Sequence, residues 1–381
     1  MVAHTGSTRP PRVLVLSEIP TPYRLPFYRD LAARPELELE VAFCALGEPD
    51  RPWELGHELA GVPHRVLSGF APAVRTRRNT FVYQVNPGIL GLLVRGSYDA
   101  LVIGGYAVFA EQAAIALARA KRIPYLIHSE SQFLTQRRSV VRAVKKGVLP
   151  LVIGAAGAGL AAGSAAARYL AHYGLDPALI RIVPNTIDVP EYARLADEAR
   201  QDAAEVRARL DVPERYHLFV GRLVEAKGLD DLLAARRLRP FPELVVAGTG
   251  PLEERLRAEP GVRVLGFQPR ERLIELYALA ELTAVPSRFE PWGVVVNEAL
   301  ACGSAVVASD AVGAAVDLVR DGRDGRVFAA GNAAALADAL ASAPTRPDPR
   351  RGRIWGWTYD FAVEQFLEAV DIALAGPRPQ G

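Results

Sequence analysis

Cysteine is nearly absent from this chain of 381 residues: there are two, Cys44 and Cys302. Two cysteines cannot form a disulfide framework, and they cannot supply a zinc site alone. Both lie in apolar runs, which predicts buried thiols and a reducing compartment. Charge of one sign is also missing. Lys+Arg 45 against Asp+Glu 43 leaves a net charge of +2, without the clustered excess of cations on which nucleic-acid affinity rests. No nucleic-acid partner is expected. Lysine is scarce: of those 45 cations only Lys121, Lys145, Lys146 and Lys227 are lysines. A lysine kept at a special place is therefore informative. No Asp-x-Asp metal motif occurs.

Long apolar runs are few. The charge-free stretch Gly147–Ala167 has the length of a membrane span, about 20 residues. It is mostly Ala and Gly with Pro150 inside, so it reads instead as the end of a helix, a buried strand and the start of a small-residue helix. Its glycines Gly157, Gly159 and Gly163 approach a dinucleotide fingerprint. They follow no first strand, and no acidic ribose contact comes about 20 residues later. Gly248-Thr249-Gly250 lacks the third glycine. A nicotinamide cofactor is not expected.

What is present is a repeat of short apolar run, turn and amphipathic stretch. Strands are predicted at Val13–Ser17, Leu39–Ala45, Ala100–Gly104, Tyr125–His128 and Gly159–Ala162. A second set falls at Leu218–Gly221, Leu244–Ala247, Val262–Leu265, Thr283–Val285 and Ala305–Ala308. Strands that are apolar throughout and separated by helices belong to buried parallel sheets. With half the residues hydrophobic, each half can bury a core. The fold class expected is α/β, with two doubly wound Rossmann-like domains. The division predicted is a disordered tail over 1–11, one domain over 12–187, a second over 188–356, and a terminal helical segment over 357–381 that packs back on the first. Ligands of such folds lie outside the carboxyl ends of the strands, and the cleft between two domains is the default site.

The chemistry concentrates in the second half. Gly221-Arg222-Leu-Val-Glu-Ala-Lys227-Gly228 leaves a strand and enters a helix. A planar guanidinium and a mobile ammonium together suit a diphosphate. In Glu290-Pro291-Trp292-Gly293-Val294-Val295-Val296-Asn297-Glu298, Pro291 and Gly293 break regular structure. A helix is predicted to begin near Gly293, leaving the N–H groups of Gly293, Val294 and Val295 for phosphate. Glu290 stays on the loop and Glu298 lies inside the helix, so the two carboxylates need not share a task. Gly303 is read as that helix's left-handed cap.

Spaced Gly-Arg-Leu to Lys-Gly, followed by Pro-Ser-x-x-Glu-Pro-x-Gly-x4-Glu-Ala-x-Ala-x-Gly-x-x-Val-Val, resembles the retaining glycosyltransferases of family 4, which have the GT-B fold. The resemblance is strongest from Gly221 to Gly325 and takes in Gly248–Leu252, Leu265–Phe267 and Asp321-Gly322. It implies that Arg222 and Lys227 neutralise the diphosphate of a nucleotide-sugar with Gly293, Val294 and Val295. It also implies that Glu298 holds the ribose, that Leu265, Gly266 and Phe267 frame the base, and that Glu290 contacts the transferred sugar with the main chain at Trp292. In the first half it suggests a catalytic role for His128, at the end of Tyr125-Leu-Ile-His128-Ser-Glu130, with Glu130 a further donor-sugar candidate. The family's Gly-Gly pair after the first strand is replaced here by Ser17-Glu-Ile-Pro20-Thr-Pro22-Tyr23-Arg24. Prolines donate no hydrogen bond, so Tyr23 and Arg24 are assigned to the acceptor side.

The resemblance implies a retaining, cytoplasmic enzyme with no metal and no cofactor, the nucleotide-sugar (UDP- or GDP-linked) being a co-substrate. The acceptor would be a cell-surface polysaccharide, a lipid-linked glycan or a secondary metabolite. An epimerase of the same fold and a non-catalytic nucleotide-sugar-binding partner remain open alternatives. The run Arg137, Arg138, Arg142, Lys145 and Lys146 is either a solvated helix face or a contact with anionic lipid at the inner membrane face.

Overall fold

The computed structural model describes residues 9–47, 58–75, 80–133 and 147–376. The chain divides into two compact units, Met1–Asn185 with Tyr359–Gly381, and Thr186–Thr358. Each is taken by itself.

In the first unit a parallel sheet is built from β1 (Arg12–Ser17), β2 (Glu38–Phe43) and β3 (His64–Val66). A small antiparallel hairpin, β4 (Ala73–Arg75) with β5 (Thr80–Val82), follows. The main sheet continues with β6 (Ala100–Ile103), β7 (Tyr125–Ser129), β8 (Ala158–Ala161) and β9 (Ile180–Ile182). The order is β3-β2-β1-β6-β7-β8-β9. The direction of winding reverses between β1 and β6, the place where open α/β sheets bind ligands. The central strands are buried on both faces, which is why they read as unbroken apolar runs. One face carries Leu14, Leu16, Ile103 and Ile127 under helices Gly88–Arg95 and Phe109–Lys121. The other carries Val13, Val15, Val41 and Leu126. Against that second face lies the last helix, Tyr359–Ala375, through Ala362, Val363, Phe366, Ala369, Val370 and Ala373.

The second unit contains β10 (Tyr216–Val220), β11 (Glu243–Ala247), β12 (Val262–Gly266), β13 (Leu282–Val285), β14 (Ala305–Ser309) and β15 (Gly325–Phe328). They form one parallel sheet in the order β12-β11-β10-β13-β14-β15, whose switch point falls between β10 and β13.

Of the strands missed by sequence, β3, β9 and β15 are sheet edges, and the hairpin stands outside both main sheets. β3 is an exposed edge, β9 an edge of sequence Ile-Arg-Ile, and β15 an edge that includes Gly325 and Arg326. Edges bury one side only and lose the continuous apolar signature. The tail also needs correction, since Arg9 and Pro11 make contacts with the first sheet. Arg9 pairs with Asp99 at 3.2 Å, and the Pro11 carbonyl accepts from the Glu38 N–H at 2.9 Å. Residues 1–8 and the basic run 137–146 lie outside the described residues. Gly147–Ala167 resolves into helical residues 147–153, β8 and the start of helix Ser164–His172. Among the described residues, no helix is long and apolar enough to cross a membrane.

Candidate active site

At the switch point of the second unit, two loops leave adjacent strands. The loop after β10 carries Arg222 and Lys227, and the loop after β13 carries Glu290 to Gly293. Neighbours pin the first one. Leu223 N–H donates to the Thr249 carbonyl at 2.9 Å, Leu252 N–H donates to the Leu223 carbonyl at 3.1 Å, and Arg288 N–H donates to the Ala226 carbonyl at 2.9 Å. Gly248 is forced by this closeness. Its φ is +148°, and a Cβ there would sit 1.9 Å from the Gly221 carbonyl oxygen. The loops are therefore set before any ligand arrives, which is the condition for cations to act electrostatically without reorganising.

Lys227 ends a short 3-10 turn, Glu225–Lys227, and its Nζ is bonded to Glu290 Oε2. Sequence had given these two residues separate ligand groups; the fold gives each to the other. Glu290 is held by its backbone, whose N–H donates to the Ala311 carbonyl at 3.0 Å and whose carbonyl accepts from Gly313 N–H at 3.1 Å. Arg222 is exposed one residue beyond Gly221.

The helix begins where sequence placed it, at Val294–Ala301, with Gly293 as N-cap at φ +96°. Gly303 follows its end at φ +70°. The first N–H groups of an α-helix have no partner within it, so Val294 and Val295 present an electropositive end beside the Lys227–Glu290 pair.

The assignment of Trp292 to the donor sugar is through its main chain, and its side chain is engaged elsewhere. Its indole is buried, stacked on Trp357 at 5.3 Å between ring centroids. Its Nε1–H donates to Asn297 Oδ1 at 3.1 Å. A large apolar ring flanked by two helix breakers gains more from burial than from solvent. Only its main chain remains for a ligand.

Glu298 accepts a hydrogen bond from Tyr277 Oη at 2.8 Å. Burial pushes its carboxyl up to about 7, and Tyr277 and Arg270 pull only partly against this. Tyr277 is a residue that sequence missed; it ends an ordinary amphipathic helix, Arg270–Leu279, and carries no motif. At the end of β12, Gly266 has φ +74°, its carbonyl accepts from Gly248 N–H at 2.7 Å, and Phe267 is 58% exposed. An exposed aromatic after a strand end is fit to stack on a flat ring. The Leu265 carbonyl is occupied by Gln268 Nε2–H at 2.8 Å.

In the first unit four residues converge at the carboxyl edge. Arg24 Nη2 donates to Glu130 Oε1 at 2.6 Å and lies 3.2 Å from His128 Nε2, while its Nε–H donates to Asn185 Oδ1 at 3.1 Å. The assigned residues Arg24, His128 and Glu130 thus form one cluster, to which Asn185 is added. Sequence did not single out Asn185 as a site residue. Burial, with the Arg24 charge beside it, drives His128 well below the ordinary imidazole value. His128 is neutral, and a guanidinium that can only donate needs a ring nitrogen to accept. Tyr23 also lines this pocket, whose floor is apolar: Val15, Leu16, Val102, Leu160 and Phe366.

Glu111 is buried behind the β1/β6 switch. Its Oε2 accepts from the Ala107 and Val108 N–H groups at 2.7 and 3.2 Å, capping helix Phe109–Lys121. Burial, followed by the nearby Glu18 charge, raises its carboxyl to about 7. Both cysteines are buried free thiols. Burial, then Glu111 and Glu18, raises Cys44 to about 12, so it is protonated and inert. Among the described residues no group of His, Cys, Asp and Glu is arranged to hold a metal ion.

Residues 201–353 match the family model for glycosyl transferases group 1. The chain is similar to D-inositol 3-phosphate glycosyltransferase of Mycolicibacterium vanbaalenii, 33% identical over 232 residues, or 53% of this chain and 50% of the relative. It is also similar to alpha-maltose-1-phosphate synthase of Mycolicibacterium smegmatis, 32% identical over 200 residues, or 48% of this chain and 51% of the relative. The chain thus spans about half the length of these curated relatives. Among solved structures, Anabaena Alr3699/HepE in complex with UDP and glucose has a TM-score of 0.64 at 19% identity, covering 95% of each chain. Sucrose-phosphate synthase from Thermosynechococcus elongatus has a TM-score of 0.63 at 19% identity, covering 96% of each. These likenesses give the fold, the GT-B arrangement of two Rossmann-like domains.

Proposed function

We propose that this chain, a member of the glycosyl transferases group 1, moves a sugar from a nucleotide-diphosphate donor to a hydroxyl acceptor. The observation that carries the reading is the meeting of Lys227, Glu290 and the Gly293-capped helix end at the β10/β13 switch point. In the ligand-free protein the ammonium has one anion for a partner, Glu290. A diphosphate seated on the N–H groups of Val294 and Val295 supplies a second, and Arg222 a further cation. As the sugar–phosphate bond breaks, charge grows on the leaving diphosphate, which these groups neutralise in this reading. They take the part that a metal ion plays elsewhere, so activity is metal-independent in this reading and withstands EDTA. Glu298 receives the ribose hydroxyls, and Phe267 stacks on the base beside Leu265 and Gly266.

The stereochemical outcome is retention. The leaving phosphate accepts the proton of an acceptor hydroxyl attacking the same face, while Glu290, its charge shared with Lys227, touches the transferred sugar. The acceptor belongs with Tyr23, Arg24, His128 and Glu130. Neutral His128 can accept or donate a hydrogen bond to a sugar hydroxyl without adding charge. Acceptors are glycans of the cell surface or lipid-linked glycans. A small phosphorylated polyol or sugar is the second reading, favoured by the names of the curated relatives and by Arg24 in the pocket lining. A cytoplasmic setting is supported by two free buried thiols.

UDP-sugars are the first donors to test, because Alr3699/HepE was solved with UDP, and with UDP-glucose. A thermal-shift screen of UDP-, GDP-, ADP- and TDP-sugars should single out one base, and turnover with that donor should need an acceptor. Turnover of donor alone would point to an epimerase, and binding with no release of nucleoside diphosphate to a non-catalytic partner.

A further inference from the structure

In the first unit, part of the helical layer on one face of the sheet carries cations and almost no acid. Its helices are Gly88–Arg95, Phe109–Lys121 and residues 147–153. Across these stretches the one acidic residue is Glu111, and it is buried as a helix cap. Arg95, Lys121 and Arg122 are exposed, and Arg119 is partly so. Core packing uses Ile89 and Leu93 of the first helix, Ala114 and Ala118 of the second, and Leu149 and Ile153 of the third.

The outward positions are apolar as well. Leu90 is 39% exposed, Val94 62%, Val148 51% and Leu151 65%. The helices are laced side by side. Lys121 Nζ donates to the Leu93 carbonyl at 2.6 Å and to the Val94 carbonyl at 3.2 Å. On the other flank Arg119 Nη1 donates to the Leu151 carbonyl at 2.9 Å. Val94 and Leu151 therefore flank a helix whose own outward residues include Ala116 and Ala120. Aliphatic side chains with cations around them and, in these three stretches, no exposed carboxylate form a surface that water and other proteins of mixed charge suit poorly. An interface with anionic headgroups above hydrocarbon suits both features at once.

We propose that this face docks peripherally on a bilayer containing anionic lipid, with Leu90, Val94, Val148 and Leu151 entering the headgroup boundary and Arg95, Arg119, Lys121 and Arg122 pairing with lipid phosphates. It brings the enzyme to lipid-borne material and does not depend on which donor is used.

The test is sedimentation of the full chain with vesicles of phosphatidylcholine alone or with about a third phosphatidylglycerol, at low and at physiological salt. Binding should require the anionic lipid and weaken as salt rises, because exposed charges are screened. Arg95→Gln with Arg122→Asn should lower the partition coefficient about 25-fold, roughly fivefold for each cation. Asparagine is chosen because Arg122 is left-handed, at φ +58°, a conformation that it tolerates. Val94→Glu with Leu151→Glu should abolish binding while circular dichroism and melting stay as in the parent; both positions are exposed, so the fold survives. Absent binding by the folded parent, equal binding to neutral vesicles, or binding indifferent to both double variants overturns the proposal. So does self-association in sedimentation velocity that Val94→Glu with Leu151→Glu abolishes, if vesicles are ignored; the face would then belong to a second copy. Donor binding measured by calorimetry without lipid keeps the failure of this proposal separate from failure of the glycosyltransferase reading.

Discussion

Lys227 is one of four lysines in a chain rich in arginine, and among the described residues it forms an ion pair with Glu290. Both side chains are partly exposed, at 22% and 18%, and such pairs contribute about 0–1 kcal/mol to stability. A cation aimed at a leaving diphosphate contributes far more to rate. Lys227→Ala should therefore lower kcat/KM by about 10²–10³, the cost of removing one charge-stabilising contact, while the melting temperature hardly moves. Parallel loss of rate and stability would remove Lys227 from the phosphate site. Glu298 gives a prediction of a different kind. Its carboxyl titrates near 7 in the fold, against about 4.3 in an unfolded chain. The folded protein holds the extra proton between those values, so this group's contribution to stability is largest below about pH 4 and declines as pH rises towards 7. Ribose hydroxyls donate to the ionised form, so donor binding should tighten from pH 6 to pH 8 and release a proton. Calorimetry in buffers of different ionisation enthalpy measures that release. Glu298→Gln should weaken binding and flatten the profile; a pH-independent parent affinity without proton release would refute the ribose role.

Elements decide which of these residues meet. The helix Val294–Ala301 starts on Gly293 at φ +96°, where an added Cβ would lie 3.0 Å from Glu290 Cγ and 3.1 Å from Val312 Cγ1. Gly293→Ala forces an L-residue into the left-handed region, at about 1–2 kcal/mol, and pushes on the Glu290 side chain as well. Donor affinity should fall more than this modest loss of stability explains, measured as Kd beside the melting temperature. Unchanged Kd would mean that the helix end is not a ligand seat. Sequence reached this element because proline and glycine mark a break and apolar residues mark the strands beside it. It could not reach the pairing of Lys227 with Glu290, 63 residues apart, or of Arg24 with Glu130, 106 apart. Those depend on which strands are neighbours, and a periodic pattern does not encode strand order. The stacking of Trp292 on Trp357 was out of reach for a related reason: a motif fixes a residue's place along the chain, while its partner Trp357 comes from the segment before the last helix. The edge strands β3 and β15 were illegible because neither is an unbroken apolar run: β3 is exposed along its length and β15 begins Gly325-Arg326.

At the scale of the molecule, the last helix belongs to the first unit although unit two separates them in sequence. Tyr359–Ala375 buries Phe366 against Phe27, with ring centroids 5.8 Å apart at 75°, and its side chain is 2% exposed. Truncating such a ring costs about 3–5 kcal/mol. For a unit of this size, that is a shift on the order of 10 °C. Two units with separate cores should melt as two transitions in calorimetry. Phe366→Ala should lower one of them and leave the other, while saturating nucleotide at about 100 times Kd adds roughly 2.7 kcal/mol to whatever binds it. The donor seat and Phe366 lie in different units, so the transition raised by nucleotide should be the one that Phe366→Ala leaves in place. If both perturbations moved the same transition, either the last helix would have to be reassigned to the second core or the nucleotide seat moved to the first.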